Sequence, residues 1–503
     1  MPTSLVHRQR VRQCLRVAIG ALSISALWLG VASAQSGSTW TEYQGGPDRT
    51  GSVADGPAPG YRVAWSTPIA PAGPGSRYGP SAPIHAGDVV VVVGPEEVVG
   101  VDIGSGEQSF TVDRDPGPSV PAATTVIDGN PAIVYTEGWG DGPPDPTAGP
   151  EESPEPDADD GTLAVTHVAA FDIETQREPW RPVELDGVSR TGVTVVNGSA
   201  FVGVNSGTVT AVDLADGSVR WQQDLGATIG TSIAARDGLV LVGVQGDRDT
   251  QPAVVALDEA SGEQRWRHEP TTASAVVSAV STDGDDVFAV FAGLSETTIV
   301  AIGSDDGTER WSRRVGAGFD AAAPPVVGDD LVITVDLLGH VRALDVETGE
   351  QRWDFAVNAP VFRSVPALVG SFLLVPTIDG ELVAIDVETG ELVWRNTPDG
   401  SPMRSLAPAG DTVIAVRGGA RSGIEALEHD PGAALIREAS PTTLALGRML
   451  GAMAIAAIPL FAIVVVAGRW LSRRVGPAFP DEAPLDDEEE PVHDPWEDEE
   501  PPE

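Results

Sequence analysis

The chain has 503 residues, 74 of them acidic and 31 basic, for a formal net charge of -43. Every basic residue is arginine, and so acidic a balance excludes the basic face that a phosphate backbone requires, so no nucleic acid partner is expected. The single cysteine, Cys14, leaves the chain beyond it with no disulfide and no thiolate metal site.

Residues 1–34 open with Arg8, Arg10, Arg12 and Arg16, continue as "VAIGALSISALWLGVA" and end in Ala32-Ser33-Ala34. A basic start, a short apolar run and small residues before a cleavage point predict a secretory signal peptide, with an N-terminal anchor as the alternative. Either way, the bulk of the chain is expected to be exported. β-rich runs follow at Val89–Val93, Ala200–Val204, Leu239–Val244, Val287–Phe291, Leu331–Val335 and Leu373–Val375, most of them after an Asp/Gly turn.

Each run leads into one pattern, A-x-D-x-x-x-G-x-x-x-W. It occurs at Ala211, Asp213, Gly217, Trp221; at Ala256, Asp258, Gly262, Trp266; at Ala343, Asp345, Gly349, Trp353; and at Ala384, Asp386, Gly390, Trp394. Three copies are degraded. One has Gly100, Asp102, Gly106 and Phe110; one keeps Trp180 but has Gln176 for Gly; one keeps Gly307 and Trp311 but has Gly303 for Asp. Successive aromatics lie 70, 41, 45, 45, 42 and 41 residues apart. With a weaker strand before each run, such as "PPVV" (324–327), each period holds four strands, the content of a β-propeller blade. In this reading the Asp accepts turn N–H groups, the Gly supplies positive φ, the Trp wedges between blades, and the Ala leaves room for a neighbouring blade's ring.

Seven copies do not finish the ring. Residues 411–419 and 422–430 supply two further strands with no Trp after them, whereas "YRVAWSTPI" (61–69) carries Trp65 with no blade before it. Pairing the two ends makes an eighth, composite blade and removes an open sheet edge. The expected fold is all-β, an eight-bladed propeller over residues 38–428 whose N-terminal strand closes the last blade. The 70-residue step contains a Pro-rich acidic insert, 138–161, expected to be a disordered loop.

After a linker (429–447), residues 448–470 hold "MLGAMAIAAIPLFAIVVVAG", twenty residues without a charge. At ~1.5 Å per residue this run covers about 30 Å, the thickness of a bilayer's hydrocarbon core, and predicts a transmembrane helix. Arg469, Arg473 and Arg474 follow it, which places the C-terminus in the cytoplasm and the propeller outside. The tail, 471–503, has 13 acidic residues between Asp481 and Glu503 and is expected to be disordered.

The repeated motif resembles the pyrroloquinoline-quinone-type (PQQ-like) propeller repeat, and "WTEYQGGPDRTGS" (40–52) looks like that family's lead-in. The resemblance spans roughly residues 38 to 428 and is specific for fold. It implies either a cofactor-free scaffold, as in outer-membrane-protein assembly factors of the BamB kind, or a dehydrogenase of alcohols or sugars holding the quinone and Ca2+ on the ring axis. Compact blades and the absence of a haem-attachment motif favour the scaffold. His85, His167, His268, His340 and His429 are too scattered for a metal site, and no catalytic motif is present. The sequence thus predicts a non-catalytic, single-pass recognition module with no cofactor. Its propeller is expected to be monomeric and its partners to be other envelope or cell-surface proteins, with a transmembrane sensor as a further alternative.

Overall fold

The computed structural model describes residues 40–69, 80–138, 166–246, 251–271, 276–293, 296–316, 323–361, 364–419 and 422–435. The expected signal peptide, transmembrane helix and acidic tail lie outside them, as does the acidic insert beyond Gly138. Among the described residues no helix is long and apolar enough to cross a membrane.

Eight sheets form the fold, each built on a four-stranded antiparallel blade, and one of them carries a fifth strand. Blades 1 to 7 span 84–113, 123–184, 194–224, 234–268, 276–316, 326–356 and 367–395. Blade 8 is composite: Met403–Ala409, Thr412–Arg417 and Gly423–His429 are completed by Tyr61–Pro68 as the outermost strand. Tyr61 pairs with His429 and Pro68 with Gly423, so the ring closes through strands from opposite ends of the propeller. The apolar runs are the second strands. Val89–Val93 and Leu331–Val335 are buried along almost their whole length because neighbouring blades cover both faces of a middle strand. Outermost strands such as Val219–Asp224 alternate between exposed and half-buried residues, as an edge facing water should.

The motif joins six of the eight blades to the next. Trp65, Trp180, Trp221, Trp266, Trp311 and Trp353 each donate an indole N–H to a carbonyl of the following blade: Ile103, Leu214, Glu259, Ser304, Val346 and Val387, at 2.6–3.1 Å. Each acceptor is the residue after the motif Asp, or after Gly303 where that Asp is replaced. The same rings lie on the following blade's motif glycine. A Cβ at Gly106, Gly217, Gly262, Gly307, Gly349 or Gly390 would come within 2.6–2.9 Å of the preceding tryptophan. Gly262 must be glycine twice over, for its φ of 73° and for this contact.

The motif alanine differs from expectation. Ala211, Ala256, Ala343 and Ala384 pair directly with Trp221, Trp266, Trp353 and Trp394 of their own blades. The small residue therefore clears its own blade's ring, and the glycine clears the neighbour's. Gly100 repeats this relation, since a Cβ there would fall 2.2 Å from Phe110. Phe110 cannot donate the latch hydrogen bond and instead packs on Phe171 of blade 2, with ring centroids 5.6 Å apart. Trp394 meets Tyr61 edge-on at 5.3 Å across the composite blade.

Blade 2 departs further. Its outer strand is only Val183–Glu184, and Trp180 precedes it, because Pro179 and Pro182 remove two ladder donors. Blade 7 gains an unforeseen fifth strand, Ser52–Val53, parallel to Ala367–Val369.

Gly262→Ala adds both left-handed strain and a clash with Trp221, and is expected to destabilise the propeller by about 2–4 kcal/mol. Gln176 holds a φ of 53° at the position where other copies have glycine, so Gln176→Gly is expected to stabilise it by about 1 kcal/mol. Denaturant midpoints moving in opposite directions would bear out this assignment.

Candidate functional site: the hooped axis

The inner strand of each blade runs towards the mouth that carries the motif turns, and only in blade 7, through Ser52–Val53, does its inward edge gain a sheet partner among the described residues. Residues 40–53 run around this edge in chain order. Trp40, Thr41, Pro47, Asp48, Thr50 and Gly51 accept, through their carbonyls, the N–H groups of His85, Thr124, Ala235, Thr282, Val327 and Leu368, at 2.7–2.9 Å. Blade 3 is met by a side chain: Val195 N–H donates to Glu42 Oε1 at 2.8 Å. One short segment thus hydrogen-bonds blades 1, 2, 3, 4, 5, 6 and 7 in turn and forms a hoop inside one mouth.

Arg49 is its hub. The side chain is 1 % exposed, and its guanidinium donates to Ile233 O at 3.0 Å, Val193 O at 3.2 Å, Thr194 Oγ1 at 2.6 Å and Tyr43 O at 2.6 Å. It lies 3.2 Å from Glu42 Oε2, an equally buried carboxylate. The Arg49 carbon of the guanidinium sits 5.9 Å from the Tyr43 ring centroid. Burial pushes Glu42 up to about 7, opposed by Arg49, and pulls Arg49 down. Gln44 fixes the far side through a 3.3 Å bond to Pro325 O. Both Gln44 and Arg49 have left-handed backbone (φ 56° and 60°), strain of about 1–2 kcal/mol each that their buried contacts must outweigh. His85, under Trp40, is buried and pushed down to about 4, so it is neutral near pH 7.

The motif residues lie away from the axis, in the turns at the same mouth. Asp102, Asp213, Asp258, Asp345 and Asp386 accept N–H groups from their own turns. In three copies an arginine just before the Trp also grips this Asp: Arg220 on Asp213 at 2.8 Å, Arg265 on Asp258, and Arg352 on Asp345. These arginines and turn hydroxyls hold Asp258 and Asp345 down at about 2. In blade 5, where Gly303 replaces the Asp, Arg310 turns to Asp286 at 3.5 Å instead. Sequence reasoning named the Asp, Gly and Trp but missed this arginine, although "RW" recurs in four copies.

The donor set on the hooped axis does not suit a calcium–quinone centre. Ca2+ takes six to eight oxygen ligands, whereas both carboxylates of the hoop are already engaged, Glu42 by Val195 N–H and Arg49, and Asp48 by Arg236 at 3.0 Å. Among the described residues no three His, Cys, Asp or Glu side chains gather as a metal would require.

The family model of the outer membrane protein assembly factor BamB matches residues 164–338 and 337–457, more than half of the chain. The chain belongs to this family. The factor of that name from Shewanella oneidensis is 27% identical over 150 residues, covering 28% of this chain and 38% of the relative. Matches to the first relatives span half of their length or less. Among solved structures, BamB from Moraxella catarrhalis superposes with a TM-score of 0.54 at 15% identity, over 73% of this chain and 99% of that one. The quinohemoprotein alcohol dehydrogenase ADHIIG from Pseudomonas putida HK5 gives 0.56 at 14%, over 80% and 82%. Both structural likenesses speak to fold alone.

Arg49→Met keeps much of the bulk but leaves Glu42 and several carbonyls buried without their donor. It is expected to destabilise the protein by about 3–5 kcal/mol, read as a lowered thermal midpoint. Because the Glu42 value is raised on folding, its share of stability is complete below pH ~4.5 and is lost as pH rises through about 7. Thermal midpoints measured between pH 5 and 8 should therefore fall less steeply with pH in Glu42→Gln than in the parent.

Proposed function

We propose that this protein is a non-catalytic propeller scaffold, exported, tethered by its C-terminal apolar segment, and assembling with other envelope proteins. The observation that carries the reading is the use made of the ring axis. At the hooped mouth the central charged groups Glu42 and Arg49 are engaged with each other and with the backbone of blades 3 and 4, which leaves them no free valence for a ligand. Membership of a family named for outer membrane protein assembly supports the same reading. On this view neither pyrroloquinoline quinone nor Ca2+ is a resident cofactor.

Two experiments on the full chain test it. Calorimetric titration of the detergent-solubilised protein with pyrroloquinoline quinone in the presence of Ca2+ is expected to give no heat. Cross-linking in its own envelope is expected to recover the same partner protein repeatedly, in amounts comparable to the bait. A one-to-one quinone complex of micromolar affinity would refute the scaffold reading.

A further inference from the structure

From the way the chain leaves the ring, we infer that the hooped mouth faces the membrane and the opposite mouth faces the envelope space. This inference rests on the tether proposed above.

The third strand of blade 8, Gly423–His429, ends at the mouth that carries the hoop and the motif turns, because His429 pairs with Tyr61 at the start of the closing strand. The chain is held there afterwards: Asp430 N–H donates to Gly60 O at 2.7 Å and Ala433 N–H to Asp430 O at 3.0 Å. Leu435, the last described residue, is therefore fixed on the hooped side, at the rim of blade 8. Only residues 436–448 separate it from the apolar run that begins at Met449. Thirteen residues reach at most about 45 Å even when fully extended. As a flexible chain, though, the segment spans only about 20 Å root mean square, roughly one blade height, so a leash that starts on one face favours that face.

The assignment sorts the surface into two sides. Towards the membrane lie the hoop and the motif turns with their Asp–Arg pairs. Away from it lie the turns between second and third strands, including Asn205–Gly207 and Leu337–Gly339, and the connections between blades. Gly138 and Thr166, the described residues flanking the acidic insert, are on this outer side too. Leu338 is 64% exposed at the tip of its turn, where blades 3 and 7 carry Ser206 and Asp379.

The test uses the full chain with Cys14→Ser, which is then free of thiols, reconstituted in vesicles containing an energy-transfer acceptor lipid. Single-cysteine variants are made in pairs within one blade: Glu347→Cys and Leu338→Cys in blade 6, Ala215→Cys and Ser206→Cys in blade 3. Within each pair the donor labels differ in height by about 20 Å, from six residues at ~3.3 Å each. Using two blades on different sides of the ring separates orientation from tilt. The expected result is stronger transfer from Glu347→Cys and Ala215→Cys than from their partners in both blades. Equal transfer within both pairs, or the reverse order, would overturn the orientation while leaving the tether standing. Failure of the chain to float with vesicles would remove the tether and this inference with it.

Discussion

Sheets placed around an axis share one constraint: the innermost strand of each has no neighbour on its inward side. Its N–H groups point into a narrow space where an unpaired donor is expensive. Here the answer is a single strip of backbone, residues 40–53, whose carbonyls and one carboxylate meet seven blades in turn. The rest of the molecule accommodates this strip. Arg49 can be buried only because blades 3 and 4 offer it carbonyls, and Glu42 only because Arg49 and Val195 balance it. What the strip does at the centre, the tryptophan latches do at the rim, where each ring docks on the next blade's glycine and carbonyl.

The two devices differ in how they appear in sequence. The latch is repeated, so its residues recur at a fixed spacing and declare themselves by period alone. The composite blade is also legible, because Trp65 stands without a blade before it and the last strands without a Trp after them. The hoop occurs once. Trp40, Glu42 and Arg49 follow no alternation, and the long-range partners that justify burying them, Val195, Ile233 and Val327, lie far along the chain. Only the resemblance of this stretch to a family lead-in singled it out, and that resemblance carried no geometry.

The misread details have local causes. The alanine was placed against a neighbour's ring because small residues beside tryptophans suggest an interface; the register shows the ring to be its own blade's. Blade 2's outer strand begins only at Val183, beyond Trp180, because Pro179 and Pro182 stand on either side of that ring. The arginine before the Trp is partly exposed and carries no periodic signal of burial, yet it fixes the turn that presents the carbonyl to the preceding tryptophan.

The pairing of Tyr61–Pro68 with Gly423–His429 also sets an order of events. Residues near the beginning of the ring have no blade to join until the strands near its end exist. The hoop, synthesised before any of the strands it binds, can seat fully only once those strands stand in a circle around it. A chain that ends before Gly423 would leave an open arc with a raw sheet edge and a loose, charged N-terminal strip. Completion is therefore all-or-nothing at the level of the whole ring, and a chain that stops short exposes its own incompleteness to the proteases around it.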